Sequence, residues 1–434
     1  MSTASAPGSD PGSGSGLQEL EQDYARIRQQ SESLCESLAI EDFCIQTIPE
    51  VSPTKWHLAH VSWFFEAMIL EPFLKGYQCY NPRYAFLFNS YYYTVGEMHP
   101  RPRRGHLSRP TVEEIYQYRA WVDQHMGELL ADVGHPERQA ILQRATIGLH
   151  HEQQHQELLL TDIKHVLAAN PLRPTYDNLP VPQGEAGGAE WIEFEGGLKE
   201  IGATGDHFAY DNELPRHSVY IAPYRLASRL VTNGEYMEFM EAGGYQQSEH
   251  WLSDGWTTIN REGWQAPLYW FHEDGQWCYM TLGGPRAVDE NSPVCHVSYY
   301  EADAYARWAG KRLPTEWEWE AAAGDQFILG NLRETGYLHP APAGDPAVSH
   351  SGRLSQMYGD VWEWTQSPYT PYPGFRPLSG ALGEYNGKFM CNQMVLRGGS
   401  CVTAEDHLRS TYRNFFYPHE RWQFMGLRLA EDME

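Results

Sequence analysis

The sequence lacks the features that mark secreted, membrane-spanning and nucleic-acid-binding proteins. Its 7 cysteines are scattered, odd in number and never spaced as CxxC, so neither a disulfide framework nor a thiolate zinc site is indicated. No apolar run reaches the roughly 18 to 20 residues that a membrane-spanning helix needs. The formal net charge of -25 argues against nucleic acid or an anionic membrane as partner, because both repel an acidic surface. We expect a cytoplasmic protein, and small molecules remain possible as its substrates.

Fixed-period repeats are also missing, which excludes a solenoid. The 434 residues are too many for one ordinary core and predict two or three domains. Residues 1–16 are rich in Ser, Gly and Pro and have neither the basic start nor the apolar run of a signal peptide, so we expect a disordered tail. We then expect a helical bundle over 17–170, a Pro- and Gly-rich linker over 171–189 and a second domain over 190–434.

The first half of the sequence predicts a four-helix bundle, a fold that builds metal sites from inward-facing side chains. Residues 75–110, rich in Tyr, Pro, Gly and Arg, interrupt it as a long loop of the kind that carries function. The predicted helices combine helical spacing of apolar residues with capping or breaking residues. They run from Leu17 to Leu38, from Ser52-Pro53 to about Leu70, from the capping box at Thr111 to Gly134, and from about Pro136 to Asn170.

The second half has short apolar runs and frequent turn residues, for example Ser253-Asp254-Gly255. Helical spacing is clear only from Tyr299 to Gly310 and from about Glu316 to Ala323. This pattern indicates an irregular α+β domain.

Two histidines on the fourth predicted helix, His151 and His155, are four residues apart and therefore lie on one helix face, where they can share a metal ion. His60, between two tryptophans on the second helix, is the best third ligand, and His57 on nearly the same face is the alternative. Three neutral imidazoles suit Fe(II), Zn or Cu. Glu157 points to another face and suits a supporting role better than a ligand role.

Two other interpretations apply to the same helix. In the first, the histidine pair is packed or solvent-exposed and binds no metal. In the second, His151-Glu152-Gln153-Gln154-His155 is the HExxH motif of a zinc protease, with Glu152 as general base. No third-ligand pattern follows closely on a helix, which argues against the protease.

Other side chains allow both a functional and a structural interpretation. Tyr91-Tyr92-Tyr93 offers a proton donor beside a metal or a packed aromatic run, and Phe415-Phe416 offers a cation-π enclosure for a quaternary ammonium group or part of a core. The loop arginines offer a carboxylate clamp or a solvated face; they are Arg101, Arg103, Arg104 and Arg109.

The second half resembles the formylglycine-generating-enzyme and sulfatase-modifying-factor family, which implies a C-type-lectin-like fold. The catalytic cysteine pair of the formylglycine-generating enzymes would fall around Leu408 to Asn414, where no cysteine lies, so we do not expect this chain to oxidise sulfatase cysteines. The matching motifs are Val231-Thr232-Asn233-Gly234-Glu235-Tyr236, Arg312-Leu313-Pro314-Thr315-Glu316, Gly359-Asp360-Val361-Trp362-Glu363-Trp364, Arg397-Gly398-Gly399-Ser400 and Gly426-Leu427-Arg428-Leu429-Ala430.

The first half resembles DinB-like four-helix bundles. Together with the HxxxHxE pattern and the second domain, the whole chain is similar to the sulfoxide synthases of ergothioneine biosynthesis (EgtB type), with the fold class α + (α+β). That resemblance implies an enzyme that binds Fe(II) through three histidines and couples O2 reduction to C-S bond formation. Its substrates would be hercynine, which reacts at the imidazole C2, and cysteine or γ-glutamylcysteine, which supplies the sulfur.

The same resemblance implies a role for individual residues. Position by position, it assigns His60, His151 and His155 to the metal, Gln154 and Asn414 to hercynine, Phe415 and Phe416 to its trimethylammonium group, Arg101 and Arg104 to the carboxylates of the thiol substrate, and Tyr91 and Tyr92 to the active-site hydroxyl.

One difference from the family bears on the thiol substrate. Members that use γ-glutamylcysteine carry an aspartate two residues after the asparagine, whereas this chain has Phe416, so we expect free cysteine. The alternative substrates are γ-glutamylcysteine, a selenosugar, or histidine as in ovothiol synthesis. An ovothiol enzyme would usually carry a fused methyltransferase, which is not found up to Glu434. The non-enzyme alternative is a ligand-binding scaffold without catalysis.

Overall fold

The computed structural model describes residues 14–324, 326–348, 350 and 352–433. Its contacts divide the chain into two compact units after Val166, a few residues before the expected boundary at Pro171. Residues 1–13 of the expected disordered tail lie outside the described residues, whereas 14–16 already belong to the first helix. None of the described helices is long and apolar enough to cross a membrane.

The first unit is helical, and the four long helices that the sequence predicts are confirmed. Within residues 75–110, expected as a loop, the structure adds a short helix and a 3-10 turn at Arg101–His106. A π-helical turn at Glu66–Leu70 continues the second helix. The helices are α1 (Gly14–Ser33), α2 (Thr54–Phe65), α3 (Glu71–Phe73), α4 (Tyr84–Phe88), α5 (Val112–Ala131) and α6 (Arg138–Ala169).

The capping box predicted for α5 is present. The Thr111 hydroxyl accepts a hydrogen bond from the Glu114 amide at 3.1 Å, and the Glu114 carboxylate accepts one from the Thr111 amide at 2.7 Å. These two bonds satisfy backbone donors that a helix start otherwise leaves without partners. The start of α5 could therefore be located from sequence to the residue.

Helix α2 is the centre of the first unit, because every residue from Thr54 to Phe65 is buried. Burial on all sides is typical of a helix enclosed by neighbouring elements. Polar side chains on such a helix must find partners inside the protein. His57 and His60 therefore interact with other protein groups, and their partners define the candidate site.

A buried carboxylate fixes the beginning of the long segment between α3 and α5. Glu66, in the π-helical turn, accepts hydrogen bonds from the hydroxyls of Tyr77 and Tyr118, both at 2.6 Å, and from the Tyr80 amide at 3.0 Å. Tyr118 belongs to α5, so Glu66 ties this segment to two helices. The segment is packed against the bundle, which positions the residues that follow it.

The second unit combines small sheets with short helices. Its last strand, β14, pairs with β4 near its beginning, so the two ends of the unit meet in one sheet, β1-β4-β14. A second sheet has the order β12-β11-β10-β13, with β10 and β13 parallel. The elements are β1 (Trp191–Phe194), β2 (Gly197–Ile201), β3 (His217–Ile221), β4 (Tyr224–Ala227), α7 (Asn233–Glu241), α8 (Ser253–Glu262), β5 (Trp270–Glu273), β6 (Gln276–Thr281), β7 (Gly284–Ala287), α9 (Tyr299–Trp308), α10 (Glu316–Ala323), β8 (Gly330–Asn331), β9 (Tyr358–Gly359), β10 (Trp362–Pro368), β11 (Met394–Arg397), β12 (Asn414–Phe416), β13 (Met425–Gly426) and β14 (Ala430–Asp432).

Several of the family motifs meet in buried ion pairs of the second unit. Arg428 pairs with Glu363 at 2.9 Å, and Arg397 pairs with Glu320 at 2.6 Å. A buried charge is costly unless it is paired, and the pairs link α10, β10 and β11 to the C-terminal segment. These ion pairs therefore join elements of the unit that lie far apart in the sequence.

Two helices of the second unit were not predicted, whereas α9 and α10 are confirmed. Helix α8 begins at Ser253-Asp254-Gly255, which was expected to be a turn, and that expectation is wrong. A side chain at residue 255 would place its Cβ 2.9 Å from the Cβ of Tyr300. Close packing against α9, and not a turn, explains this glycine.

Candidate metal centre

Three histidines from two helices form a compact cluster in the first unit. His60 of α2 and His151 and His155 of α6 place one ring nitrogen each within 4.8 Å of one another, the one such group of metal-binding side chains among the described residues. The Nε2 atoms of His60 and His151 are 3.2 Å apart. Two nitrogens bound at right angles to one ion at about 2.1 Å lie about 3 Å apart, so these atoms are at the separation of two ligands.

The three imidazoles are held in the neutral form that binds metals. Burial lowers the pKa of His60 well below its usual value, and the neighbouring His151 lowers it further. Burial lowers the pKa of His151 to about 3. Burial, followed by the proximity of His60 and His151, also lowers the pKa of His155. Three neutral nitrogen donors fit a divalent transition metal, Fe(II) included.

The ring of His60 is fixed in one orientation. Its Nδ1 lies 2.6 Å from the Phe88 carbonyl oxygen, which can only accept, so Nδ1 carries the proton and Nε2 faces His151 with its lone pair. The ring stacks between Trp56, at 4.6 Å between centroids, and Trp63, at 5.6 Å. Partners behind a ligand of this kind set its tautomer and direction.

His57, the alternative third ligand, lies behind the cluster. Its Nδ1 is 2.9 Å from Nδ1 of His155, and its Nε2 is 3.0 Å from the Asp162 carboxylate. Both ring nitrogens are therefore engaged by protein groups, and the choice of His60 over His57 agrees with the contacts. The sequence pattern that could have revealed this arrangement is Asp162, two helical turns beyond His155 on the same face of α6.

Glu152 is a structural ion-pair partner in the core, which contradicts the protease interpretation. Its carboxylate accepts hydrogen bonds from Arg28 at 2.9 Å, Ser31 at 2.7 Å and Arg119 at 3.1 Å. Burial opposes ionisation of Glu152, but the two guanidinium groups outweigh it and leave its pKa lowered. A carboxylate saturated in this way by α1 and α5 is not available as a general base. Glu157, also buried, lies outside the three-histidine cluster.

The predicted tyrosines follow the carbonyl group that orients His60. The Tyr92 side chain is fully buried, and its ring centroid lies 5.7 Å from that of Trp63. Tyr91 stacks on Tyr92 at 4.6 Å. The Asn89 side chain bonds both the amide and the carbonyl of Tyr92 at 3.0 Å. The segment that orients His60 therefore also fixes Tyr92.

The two arginines assigned to the thiol substrate differ in environment. Arg104 is 4% exposed; its guanidinium carbon lies 3.4 Å from the centre of the Trp56 ring, and its Nη1 donates to the Ser52 hydroxyl at 2.8 Å. Its Nε has no hydrogen-bond partner among the described residues. Arg101 is exposed and donates to the Glu50 carbonyl. Arg104 and His60 thus both contact the ring of Trp56.

The remaining predicted residues are a neighbour of the ligands and a strand. Gln154 precedes His155 on α6 and is half-buried. Asn414, Phe415 and Phe416 form β12 in the second unit. The Phe415 ring stacks on that of Tyr369 at 4.1 Å and 8°, an aromatic partner that the sequence did not reveal. Their roles toward a substrate stay predictions.

Comparison with known proteins agrees with both units. Residues 23–159 match the model of the DinB superfamily, and residues 177–433 match that of the sulfatase-modifying factor enzyme 1-like domain. These matches confirm the predicted fold class. A DinB-like bundle with a three-histidine cluster, followed by this domain, defines a class of two-domain enzymes.

Individual relatives specify the family. The chain is 33% identical over 410 residues to hercynine oxygenase of Mycolicibacterium thermoresistibile, with 89% of each chain covered. It is 33% identical over 414 residues to hercynine oxygenase of Mycobacterium tuberculosis, covering 90% of this chain and 94% of that one. The formylglycine-generating enzyme of Streptomyces coelicolor is 29% identical over 56% of this chain and 89% of its own. The chain belongs to the hercynine oxygenase family.

Proposed function

We propose that this protein is an iron-dependent hercynine oxygenase that joins the sulfur of cysteine to C2 of the hercynine imidazole and yields hercynylcysteine sulfoxide for ergothioneine biosynthesis. The observation that carries the proposal is the cluster of three neutral imidazoles in a chain that matches hercynine oxygenases over about 90% of its length. The reaction balances: C-S bond formation and sulfoxide formation each remove two electrons, and O2 accepts all four. One oxygen atom enters the sulfoxide, and the other leaves as water with the protons from C2 and the thiol.

His60 and His151 would hold the iron through their Nε2 atoms, and His155 through the ring nitrogen that faces them. Bound Fe(II) supplies the redox chemistry that reduction of O2 requires. Zn(II) has the same preference for imidazole but no redox activity, so an oxidative C-S bond formation favours iron. The protein's own contribution is to keep three uncharged donors converging, because burial opposes the binding of a second proton by each ring.

Arg104 would bind the carboxylate of the thiol substrate. Its guanidinium group is buried, stacked on Trp56, and retains an Nε donor without a partner among the described residues. A guanidinium fork pairs with a carboxylate through two parallel hydrogen bonds, and a buried cation is stabilised by such a partner. Arg101, at the exposed start of the same turn, would complete the binding of the carboxylate.

Tyr92 is the better placed of the two tyrosines to donate a proton during O2 reduction. It is fully buried against Trp63, whereas Tyr91 is half-buried on its outer side. A proton donor within reach of the reacting oxygen contributes about 10²- to 10⁴-fold to the rate of such a step. The proton would come from Oη of Tyr92, with Tyr91 stacked on its ring.

Free cysteine, and not γ-glutamylcysteine, is the proposed sulfur donor. The support is Phe416, which cannot accept a hydrogen bond from the glutamyl amine at the position where the family places an aspartate. Hercynine would be held by Gln154, Asn414 and the aromatic pair Phe415 and Phe416. None of the cysteines among the described residues forms a disulfide, which fits action in a reducing compartment such as the cytoplasm.

The test is a reconstitution without oxygen, followed by exposure to O2. The protein is loaded with Fe(II), mixed with hercynine and one sulfur donor, and the products are analysed by mass spectrometry. Cysteine should give the sulfoxide at a higher kcat/KM than γ-glutamylcysteine, whereas a selenosugar, or histidine in place of hercynine, should give little product. His155→Ala, loaded in the same way, should bind no iron and form no product. Absence of a sulfoxide with every donor, from protein that holds one iron per chain, would refute the proposal.

A further inference from the structure

Behind His155, two buried side chains continue the line of the metal cluster. Asp162 Oδ2 lies 3.0 Å from Nε2 of His57, and Nδ1 of His57 lies 2.9 Å from Nδ1 of His155. His151, His155 and Asp162 follow one face of α6, and His57 lies one turn before His60 on α2. The line therefore joins the two helices that supply the ligands.

The proton positions along this line follow from its charged end. A second hydrogen bond, from the Ser52 amide at 2.7 Å, reaches the same Asp162 oxygen, and an ionised carboxylate can only accept. His57 must then carry its proton on Nε2, which leaves its Nδ1 as an acceptor. His155 consequently donates from Nδ1, and the lone pair of its ring is on Nε2.

We propose that His57 and Asp162 are positioning residues for the ligand His155. They hold its ring in the Nδ1-protonated tautomer, with Nε2 directed at the metal. The negative charge of Asp162, passed on through the His57 imidazole, makes His155 a stronger electron donor. The inference rests on the proposed function only in requiring that His60, His151 and His155 bind a metal ion.

The contrast with His60 supports this assignment. The outer nitrogen of His60 donates to a neutral backbone carbonyl, that of Phe88, which fixes its tautomer without adding charge. His155 instead contacts the imidazole of His57, which in turn contacts the Asp162 carboxylate. Both His57 and Asp162 are 3% exposed, and a buried carboxylate is retained in a protein only where donors compensate its desolvation. Here those donors are the Ser52 amide, just before α2, and Nε2 of His57.

Metal affinity, measured apart from turnover, tests the inference. His57→Phe keeps an aromatic ring of similar size and removes both nitrogens. Asp162→Asn keeps an acceptor oxygen and removes the charge. Loss of a partner behind a ligand weakens metal affinity by about 10- to 100-fold, and we expect that loss for His57→Phe. Asp162→Asn should lie between His57→Phe and the unaltered protein, and the double variant should equal His57→Phe, because Asp162 acts through His57.

The dissociation constants are measured by chelator competition with Fe(II) under anaerobic conditions and with Co(II), whose absorption bands report the ligand field. Co(II) bands should shift in both single variants at an unchanged stoichiometry of one ion per chain. His125→Gln is the matched control: His125 lies on α5, and its Nδ1 contacts the Trp121 carbonyl oxygen at 2.7 Å. This control should keep the affinity and bands of the unaltered protein, and circular dichroism checks the fold of each variant.

The outcomes separate the two proposals. Unchanged affinity in His57→Phe, or equal and additive losses in the double variant, would overturn the positioning role while the metal centre stands. Complete loss of binding in His57→Phe, as in His155→Ala, would make His57 a ligand and would also overturn it. If His57→Phe does not fold, parental affinity and bands in Asp162→Asn would overturn the positioning role in its place. An unaltered protein that binds neither ion would refute the metal centre itself.

Discussion

At the scale of single residues, the candidate site depends on side chains that are charged or polar and almost fully enclosed. Arg104 is the clearest case, because its guanidinium carbon lies 3.4 Å from the centre of the Trp56 ring, and no carboxylate among the described residues forms an ion pair with it. A bound carboxylate is then stabilised in two ways, by new hydrogen bonds and by its attraction to a buried cation. Substrate affinity should respond strongly to this one residue.

Replacement of Arg104 by leucine should raise the KM for cysteine by about 10- to 100-fold, as expected for loss of charge-assisted hydrogen bonds worth about 1.5 to 3 kcal/mol. The KM for hercynine should not change. Arg104→Lys should not restore the parental value, because an ammonium group lacks the planar fork. Steady-state kinetics with each substrate varied in turn measure both constants. Arg103→Leu, an exposed change in the same turn, is the control, and equal effects of the two changes would contradict the assignment.

At the scale of elements, α6 serves two purposes on two faces. One face carries His151, His155 and Asp162, and the other carries Glu152, which is bonded to Arg28 of α1 and Arg119 of α5. The ion pairs hold three helices together at the level of the three-histidine cluster. The precision of the site thus depends on the packing of this adjacent face.

Glu152→Gln should destabilise the protein by about 3 to 5 kcal/mol, the usual effect of removing one partner from a buried ion pair. The change leaves two buried guanidinium groups without their shared anion. Urea unfolding followed by circular dichroism measures the loss. Glu128→Gln, on the exposed side of α5, should change stability by less than about 0.5 kcal/mol. A Glu152→Gln protein as stable as the unaltered one would show that the network contributes little.

The long elements with capping boxes and single-face histidines were predictable because their determinants are local. Helix α6, the start of α5 and the position of His151 and His155 on one helix face follow from spacing along the chain, whereas spacing left both His57 and His60 open as the third member of the cluster. Helix α8 was missed because its Gly255 is explained only by contact with Tyr300. The hydrogen bond between His57 and Asp162 and the stack of Phe415 on Tyr369 join residues that are far apart in sequence. Spacing along the chain alone does not reveal such contacts.

At the scale of the whole molecule, a strongly acidic chain carries a buried acid in its second unit. Asp360 accepts hydrogen bonds from the Asn331 side chain and the Ala341 amide, both at 2.8 Å. Burial nevertheless raises the pKa of Asp360 to about 7, whereas an aspartate in an unfolded chain titrates near about 3.9. Between these two pH values the folded state holds a proton that the unfolded state has lost.

Stability should therefore fall as pH rises from about 4 to about 7, by up to about 1.4 kcal/mol per pH unit from this group. Asp360→Asn keeps the acceptor oxygen and removes the titration, so its stability relative to the unaltered protein should improve across that window and stay constant above it. Urea midpoints at several pH values measure the difference. Asp254→Asn, exposed on α8, should show no such trend, and a pH-independent difference for Asp360→Asn would contradict the expectation.

The hydrogen bond from His60 to the Phe88 carbonyl has a consequence for how such a centre can change over time. A backbone acceptor survives substitution of its own residue, so most changes at position 88 leave that ligand oriented as before. The partners of His155 are side chains, and each can be replaced by a single substitution. Variation in metal preference or reduction potential is therefore accessible mainly through the two partners of His155, while the orientation of His60 stays constant.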